Sequence, residues 1–283
     1  MRTIIEILEA GPLVGTGVWD ALSARLAAEA GLPAVFLSGY CLSATRLGAP
    51  DVGLITQPEV LDAARRITAA VDVPVIVDID TGYGNELNVE RTVRELVRMG
   101  AAGCFLEDQV WPKRCGHMEG KQVVDLGTYL PKLEAALAAR GDASFHVTAR
   151  TDARAVHGLD DAIRRAQAFA EAGADAVFVE APESIEEMDR VRAALPASVT
   201  LVANMVEHGK TPLRTARELA DAGYRIVVMP LTGLLAAVQA MQKAFAALAV
   251  DGSSASVSDD LAGFDALNEI LGIGEVYRRE GRT

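Results

Sequence analysis

The chain has 283 residues, of which 50% are apolar, 5% aromatic and 23% charged, which suits one large α/β domain or two small ones. We expect one domain. The formal net charge of −12 and the isoelectric point near 4.9 make the surface field repel phosphate backbones and anionic lipids. No Lys/Arg cluster offsets that field, so nucleic-acid and membrane partners are not expected.

The sequence indicates neither secretion nor membrane insertion. Residues 1–6 lack a long apolar segment, and no later apolar run reaches the ~18 residues that a membrane-spanning helix requires. The three cysteines, Cys41, Cys104 and Cys115, are an odd set without CxxC spacing, which argues against a disulfide framework and a structural zinc site. We therefore expect a cytoplasmic protein.

A repeated unit runs along the chain: a helix end, a glycine suited to the left-handed C′ position, a short link and an apolar strand. Four copies occur, at residues 29–38, 98–107, 171–180 and 221–230. Further strands are predicted near residues 13–17, 75–78, 145–150 and 200–204, with helix-period segments near 57–70, 88–99, 159–172 and 215–222. These elements add up to about eight βα units.

The strands are so uniformly apolar that both faces of the sheet must be covered, which predicts a parallel sheet that is closed or doubly wound. The number of units and the length, near the norm of about 250 residues, favour a closed (β/α)8 TIM barrel. A Rossmann arrangement is the alternative. It is disfavoured because Gly82-Tyr83-Gly84 lacks the third glycine of a dinucleotide-binding turn.

The C-terminal region differs in composition from the rest. Residues 251–258 form a Ser-rich linker, and residues 259–277 have apolar positions at helical spacing. We predict a catalytic barrel over residues 1–250, and a linker with an oligomerisation helix over residues 251–283. This helical appendage is expected to dock on the barrel or on a neighbouring subunit.

Polar residues end most of the apolar strands, at the edge where a barrel has its active site. They are Ser38, Gly39, Asp78, Asp80, Glu107, Asp108, Arg150, Thr151, Asp152, Glu180 and Asn204. Asp78 and Asp80 lie on the same side of an extended chain, and Glu107 ends the neighbouring strand. Such a group of carboxylates suits Mg²⁺ or Mn²⁺ that keeps several water ligands.

The opposite charge at this edge is Arg150, whose planar fork suits a substrate carboxylate or phosphonate. Ser38 and the backbone N–H groups of Gly39 and Tyr40 are placed to hold a carboxylate or keto oxygen. The expected substrate is a small 2-oxo or 2-hydroxy acid that chelates the metal.

A basic loop with one thiol follows the fourth predicted strand. Lys113 and Arg114 are expected to lower the pKa of Cys115, and Gly116 lets the backbone approach a ligand closely. This pattern predicts a reactive thiol. The alternative is that Cys115 is a small apolar filler beside a solvated charge pair.

Seven ordered motifs resemble the isocitrate lyase and phosphoenolpyruvate mutase superfamily. They occupy residues 38–39, 47–51, 78–84, 107–109, 112–117, 149–153 and 204–207, and the resemblance covers residues 13–248. The branches that the chain resembles most are 2-methylisocitrate lyase and carboxyphosphonoenolpyruvate phosphonomutase. The resemblance implies a (β/α)8 barrel whose last helix is exchanged within a homo-oligomer, commonly a tetramer built as a dimer of dimers, and a Mg²⁺-bound 2-oxo acid.

The resemblance also implies roles for individual residues. The metal-site residues are Asp78 and Asp80, with Asp51 and Glu107 contributing through water. The substrate-binding residues are Ser38, Gly39, Tyr40, Gly116, His117 and Asn204. The catalytic residues are Cys115, Arg150 and Glu180, with Cys115 as the general acid on a mobile loop.

Two positions depart from the lyase pattern. Phe36 stands where the lyases have a tyrosine that has been considered a base, so the base is unassigned. Leu235 stands where methylisocitrate lyase has an arginine for a distal carboxylate. A tricarboxylate would lose a charged hydrogen bond of about 1.5–3 kcal/mol, which favours a substrate with fewer carboxylates or a more apolar tail.

The function we expect is that of a Mg²⁺-dependent lyase which cleaves a C–C bond of a small 2-hydroxy or 2-oxo di- or tricarboxylic acid. Two alternatives use the same enolate chemistry: formation of a P–C bond by a phosphonomutase, and decarboxylation of oxaloacetate. A non-catalytic barrel that binds a metabolite is the remaining alternative. It is disfavoured because the paired acids and Cys115 are all present.

Overall fold

The computed structural model describes residues 2–281. Its strands are β1 (Leu13–Val18), β2 (Ala34–Leu37), β3 (Val75–Asp78), β4 (Gly103–Glu107), β5 (His146–Thr151), β6 (Ala176–Val179), β7 (Thr200–Asn204) and β8 (Tyr224–Met229). Its α-helices are α1 (Ile4–Ala10), α2 (Ala21–Glu29), α3 (Gly39–Leu42), α4 (Gln57–Thr68), α5 (Glu86–Arg98), α6 (Leu126–Ala139), α7 (Ala153–His157), α8 (Leu159–Glu171), α9 (Ile185–Ala193), α10 (Ala216–Asp221), α11 (Thr232–Asp251), α12 (Phe264–Ile270) and α13 (Ile273–Arg279). A π-helix spans Ser43–Leu47 and a 3₁₀-helix spans Ala255–Asp260.

The eight strands form one closed parallel barrel in sequence order. β1 pairs with β2 on one side and with β8 on the other, which closes the sheet. The predicted TIM barrel is confirmed, and the doubly wound alternative is excluded because an open sheet has unpaired edge strands.

Alternate strand residues enter two different cores, which explains why the strands are apolar throughout. Phe36, Phe105 and Phe178 belong to the cluster inside the barrel, where neighbouring ring centroids lie 5.4 and 5.8 Å apart. Their neighbours Val35 and Leu37 belong to the outer cluster, which the barrel helices share. Period-2 side-chain alternation therefore buries both faces of the sheet.

The glycine of each repeated unit ends a helix in the left-handed conformation. Gly31, Gly100, Gly173 and Gly223 have φ of 85°, 80°, 92° and 87°. A residue with a Cβ is strained there, so glycine is the residue that lets each helix turn back into the next strand.

By residue contacts, the chain divides into two compact units, the first ending at Thr232 and the second beginning at Gly233. The predicted boundary at residue 250 therefore falls inside the second unit, because α11 groups with the C-terminal segment. The predicted appendage over 259–277 contains part of the 3₁₀-helix and two short helices rather than one, since Gly272, with φ of 82°, separates α12 from α13. The predicted outer limits at residues 1 and 283 lie outside the described residues.

One helix, α11, is long and apolar enough by length and composition alone to cross a membrane, and 6% of its apolar window is buried. Gln239, Gln242 and Lys243 interrupt its apolar run, as expected from the sequence, but the mean hydropathy of the helix stays high enough for it to qualify. A single helix of this length and composition is weak evidence for a membrane role.

Candidate active site

A cavity of about 60 Å³ lies where the carboxyl ends of the barrel strands meet. It is lined by Ser38, Tyr40, Asp51, Asp78, Lys113, Cys115, Gly116, His117, Arg150, Glu180, Asn204, Val206, Pro230 and Leu231. Ten of the thirteen predicted site residues are in this lining. The other three, Gly39, Asp80 and Glu107, are not in the lining, but each lies next to a residue that is: Asp78, Lys113 and Arg150, respectively.

The ends of β2 and β3 place two carboxylates against a glycine. The Asp80 backbone N–H donates to Asp78 Oδ1 at 3.0 Å, and Asp80 has a φ of 49°, a left-handed conformation that a short polar side chain tolerates. A Cβ at Gly39 would lie 3.4 Å from Asp78 Oδ2 and 3.5 Å from Asp80 Oδ1. Both distances are ordinary van der Waals contacts, so the two carboxylates lie beside the Gly39 backbone without requiring glycine there.

Lys113 is almost fully buried and bridges two of the predicted metal-site acids. Its Nζ lies 2.7 Å from Asp51 Oδ2 and 2.8 Å from Asp80 Oδ1. Burial raises the pKa of Asp80 to about 7, against the opposing effect of Lys113. Burial disfavours the charged form of Lys113 too, yet Asp80, Asp51 and Glu107 raise its pKa well above the usual value. Lys113 is therefore a charged group inside the acid cluster.

The acids fit a divalent cation that keeps most of its water. Within residues 2–281, no three His, Cys, Asp or Glu side chains are arranged to hold a metal ion between them. Both carboxylate oxygens of Glu107 are buried without a hydrogen-bond partner, as is Asp80 Oδ1, which Lys113 approaches without hydrogen-bond geometry. Mg²⁺ commonly binds through one or two carboxylates plus water and substrate oxygens, which is the arrangement these orphaned oxygens allow.

Arg150, at the end of β5, is surrounded by three carboxylates. Its Nε lies 2.9 Å from Asp152 Oδ2 and 3.4 Å from Glu107 Oε2, and its Nη2 lies 3.1 Å from Glu180 Oε2. The guanidinium also lies over the Phe178 ring, 5.2 Å from the centroid. The predicted cation is thus present, held in one orientation by the acids around it.

Glu180 joins three parts of the barrel rim. Its carboxylate accepts hydrogen bonds from Asn204 Nδ2 at 3.2 Å, and His117 Nε2 lies 3.3 Å from Oε1. Burial alone would raise the pKa of Glu180, but Arg150 and the His117 hydrogen bond hold it well below the usual range. Glu180 is consequently an anion that fixes Arg150, His117 and Asn204.

The prediction that Cys115 has a lowered pKa was wrong, although Lys113 acts in the predicted direction. Burial raises the pKa of this thiol to about 11, and Asp51 adds to the effect more than Lys113 opposes it. The reason is spatial, because Lys113 turns toward Asp51 and Asp80, while the backbone of Arg114 pairs with the Gln109 side chain. Cys115 is a neutral thiol that lines the cavity.

The backbone at Gly116 lies very close to barrel side chains, while the predicted close approach to a ligand stays a prediction. A Cβ at Gly116 would lie 2.5 Å from Glu180 Cδ and 2.6 Å from Arg150 Nη2. The loop therefore rests directly on the buried ion pair, and any larger residue would lift it away.

Sequence reasoning gave no role to a buried network behind Arg150. Asp108 accepts hydrogen bonds from the Asp152 backbone N–H at 2.9 Å, from Thr151 Oγ1 at 2.7 Å and from Arg165 Nη1 at 3.0 Å. The strand-end pattern flagged Asp108, Thr151 and Asp152, but Arg165 gave no signal, because an arginine on an amphipathic helix is typical of an exposed face.

The site defines an enzyme that acts on small acids. The Cys115 thiol, a neutral proton donor, and the fixed Arg150 guanidinium face one small cavity at the active end of the barrel. The chain belongs to the family whose model is described as phosphoenolpyruvate phosphomutase, which matches residues 5–249. This match confirms the superfamily that the sequence motifs indicated.

Relatives in this family have several different activities in their names. The petal death protein of Dianthus caryophyllus is 46% identical over 100% of this chain and 88% of its own length. The chloroplastic carboxyvinyl-carboxyphosphonate phosphorylmutase of Arabidopsis thaliana is 44% identical over 98% of this chain and 82% of its own length. The 2,3-dimethylmalate lyase of Eubacterium barkeri is 43% identical over 95% of this chain and 92% of its own length.

Solved structures show the same range. Oxaloacetate acetylhydrolase in complex with 3,3-difluorooxalacetate has a TM-score of 0.91 and 35% identity, covering 98% of this chain and 95% of that one. Phosphonopyruvate hydrolase in complex with oxalate and Mg²⁺ has a TM-score of 0.87 and 31% identity, covering 98% of this chain and 96% of that one. The chain is therefore an enzyme of the isocitrate lyase/phosphoenolpyruvate mutase superfamily, and the C–C lyase prediction fits these relatives.

Proposed function

We propose that this enzyme uses Mg²⁺ or Mn²⁺ to cleave a C–C bond of a small 2-hydroxy dicarboxylic acid, releasing a 2-oxo acid and a second carboxylic acid. The supporting observation is the neutral Cys115 thiol, which lines the same cavity as Arg150 and Glu180. C–C cleavage leaves a carbanion that must be protonated, so a lyase requires a proton donor facing its substrate.

Cys115 has the properties of such a donor. A thiol with a pKa of about 11 keeps its proton at neutral pH but is far more acidic than water. Its position is held through the backbone, because its N–H donates to the Asp51 carbonyl at 3.0 Å and its carbonyl accepts from Met118 N at 2.9 Å. The proton would pass from Sγ to the carbon released by cleavage.

The other polar residues bind and orient the acid. Arg150 is fixed by Asp152 and Glu180 before substrate arrives, so little reorganisation is needed when a carboxylate binds. Ser38 and Tyr40 line the cavity from the β2 side and Asn204 from the β7 side. These contacts suit a substrate with one carboxylate and an adjacent oxygen.

The remaining wall of the cavity is apolar and supports a substrate with an apolar substituent. Val206, Pro230 and Leu231 line it, and none of them offers a charge to a third carboxylate. The sequence replacement at Leu235 agrees with this chemistry. A malate with alkyl substituents is therefore a better candidate than a tricarboxylate such as methylisocitrate.

A divalent cation would be held by Asp78 and Asp80, with Asp51 and Glu107 contributing through water. When bound, it supplies positive charge to the oxygen that becomes the keto group of the released oxo acid. Lys113 balances the charge of the same acids from the protein side.

We infer a cytoplasmic homo-oligomer, as a dimer of dimers whose C-terminal helices are exchanged. The support is the apolar surface of the second unit, where Val238, Met241, Phe245 and Leu248 of α11 are 40–62% exposed. Monomeric soluble proteins rarely leave so contiguous an apolar stripe uncovered. The free thiols Cys41, Cys104 and Cys115 agree with a reducing compartment.

The test is a substrate panel with Mg²⁺: 2,3-dimethylmalate, malate, 2-methylisocitrate, oxaloacetate and phosphonopyruvate. Released 2-oxo acid is followed by coupled reduction, and phosphorus products by ³¹P NMR. We expect the highest kcat/KM with the alkyl-substituted malate. Faster turnover of 2-methylisocitrate would contradict the apolar-pocket argument.

The alternatives give different readouts in the same panel. A phosphonomutase, which the Arabidopsis relative favours, would change the ³¹P spectrum of phosphonopyruvate. A hydrolase of oxaloacetate, which the structural neighbour favours, would release oxalate and acetate, whereas a decarboxylase would release pyruvate and CO₂. Either result with no cleavage of malates would overturn the lyase proposal.

A further inference from the structure

The segment from residue 110 to residue 124, here the Cys115 loop, has its two ends joined to each other. Val110 N donates to the Gln122 carbonyl at 2.8 Å, and Val124 N donates to the Asp108 carbonyl at 2.8 Å. Gln109 and Val123 form an isolated antiparallel bridge. The base of the loop is thus fixed, and the position of its middle depends on other contacts.

Lys121 makes a buried contact between the middle of the loop and the barrel. Its side chain is 2% exposed, its Nζ donates to the Gly116 carbonyl, and the same Nζ lies 3.2 Å from Asp152 Oδ1. Asp152 also holds Arg150, at 2.9 Å to Nε and 3.2 Å to Nη2. Gly116 lies against Arg150 and Glu180, so Lys121 ties the loop to the group on which it rests.

We propose that Lys121 is a positioning residue that holds the Cys115 loop closed over the cavity by joining the Gly116 carbonyl to Asp152. Cys115 is the residue before Gly116, so the same contact holds the thiol at the cavity. The proposal concerns loop position and applies to any reaction at this site, so it does not rest on the identity of the substrate.

Loss of Lys121 should loosen the loop rather than the barrel. Asp152 keeps its two hydrogen bonds from Arg150, so removing Lys121 leaves no buried carboxylate without a partner. The Gly116 carbonyl, in contrast, loses the donor that Lys121 provides. That buried carbonyl regains a hydrogen-bond partner if it moves out toward water, and this movement opens the loop.

A second lysine provides the matched control. Lys210 Nζ lies 2.6 Å from Glu119 of the same loop, but Glu119 is 87% exposed, and surface pairs of this kind contribute little to stability. Lys210→Met removes that pair and leaves the backbone bond from Lys210 N to His117 Nδ1 in place. It therefore removes a lysine that contacts the loop at the surface and leaves the buried Lys121 contact in place.

The experiment measures alkylation of the three cysteines by iodoacetamide, peptide by peptide, in the full-length protein without substrate. Cys41 and Cys104 are fully buried and report on general loosening. In Lys121→Met we expect the Cys115 rate to rise at least about tenfold while the other two rates stay unchanged.

In the control variant Lys210→Met, all three alkylation rates should match the wild type. If Lys121→Met does not fold, Lys121→Ala takes its place with the same expected result, whereas Lys121→Gln, which keeps a donor for Gly116, should bring the Cys115 rate back toward the wild type.

Two results would overturn the proposal: an unchanged Cys115 rate in Lys121→Met, or a parallel rise for all three cysteines, which would indicate a purely structural role. Turnover is measured on the same samples, and kcat should fall about tenfold or more with KM changed less than about threefold. A selective rise at Cys115 with unchanged kcat would support the positioning role and contradict the proposed acid role of Cys115.

Discussion

Lys113 Nζ and Asp51 Oδ2 lie 2.7 Å apart in an ion pair whose side chains are only 3% and 8% exposed. A buried pair of this kind adds little net stability while it is intact, because desolvation offsets the attraction, but removing one partner leaves an uncompensated charge. The pair therefore holds the Cys115 loop against the segment after β2 that carries Asp51.

We predict that Lys113→Met lowers the free energy of unfolding by about 3–5 kcal/mol, because Asp51 and Asp80 then share no counter-ion. Urea unfolding measures the change. The double variant Lys113→Met with Asp51→Asn should recover part of the loss, since it removes one of the two stranded charges. A loss below about 1 kcal/mol for the single variant would show that water or metal compensates the acids.

The barrel could be predicted because its signals are local and repeated. Glycines mark the helix ends in the sequence, at Gly31, Gly100, Gly173 and Gly223. Parallel strands then bring their carboxyl ends to one edge of the barrel. The direction in which a side chain points, in contrast, depends on residues that are distant in the sequence. Lys113 is two residues from Cys115 in sequence, but its ammonium group pairs with Asp51 and Asp80. Its lowering effect on the thiol pKa is therefore outweighed by burial, and the expected net lowering was wrong.

The burial of two lysines, Lys113 and Lys121, in the Cys115 loop could not be predicted from the sequence either. Lys121 is one of several charged residues in a polar segment, and such residues are mostly exposed. Only the tertiary structure shows that Lys121 and Asp152 meet, and that Arg165 reaches Asp108 from α8. The strand-end residues were found by position in the barrel, whereas their partners depend on packing between loops.

We predict that activity requires Mg²⁺ or Mn²⁺ and is lost in excess EDTA. Asp80→Asn should weaken Mg²⁺ binding and reduce turnover by about 100-fold or more, because it removes a formal charge from the acid cluster. Calorimetric titration with Mg²⁺ alone measures the binding, and circular dichroism checks that the fold is intact. Full activity in EDTA would exclude the metal.

The C-terminal segment should determine the assembly. Leu261, Phe264, Leu267 and Leu271 are 36–80% exposed, as expected for residues that contact another subunit. We predict that truncation before Asp259 shifts the mass measured by light scattering toward smaller species. An unchanged mass would show that residues 259–281 do not hold the subunits together.

The raised pKa of Cys115 predicts an unusual pH profile for alkylation. An unperturbed thiol ionises near 8.5, so its alkylation rate levels off above about pH 9. With a pKa of about 11, the Cys115 rate should still increase about tenfold per pH unit up to pH 10. The same shift lowers the free energy of unfolding as pH rises from about 8.5, because the unfolded chain releases the proton first. A plateau near pH 8.5 would contradict the raised pKa of this half-buried thiol.

Replacement of Cys115 by serine separates the reaction types. The serine hydroxyl is too weak an acid to protonate the carbanion left by C–C cleavage, so kcat on the best substrate should fall about 10²–10⁴-fold. Oxalate should still bind, because Arg150, Ser38 and Asn204 are unchanged.

Cys104→Ala is the control: it alters a thiol buried in β4 and should leave kcat per folded enzyme unaltered. A decarboxylase could protonate its enolate from water and would tolerate the serine. A loss in kcat of less than about tenfold would therefore remove Cys115 as the general acid and favour decarboxylation or phosphonyl transfer.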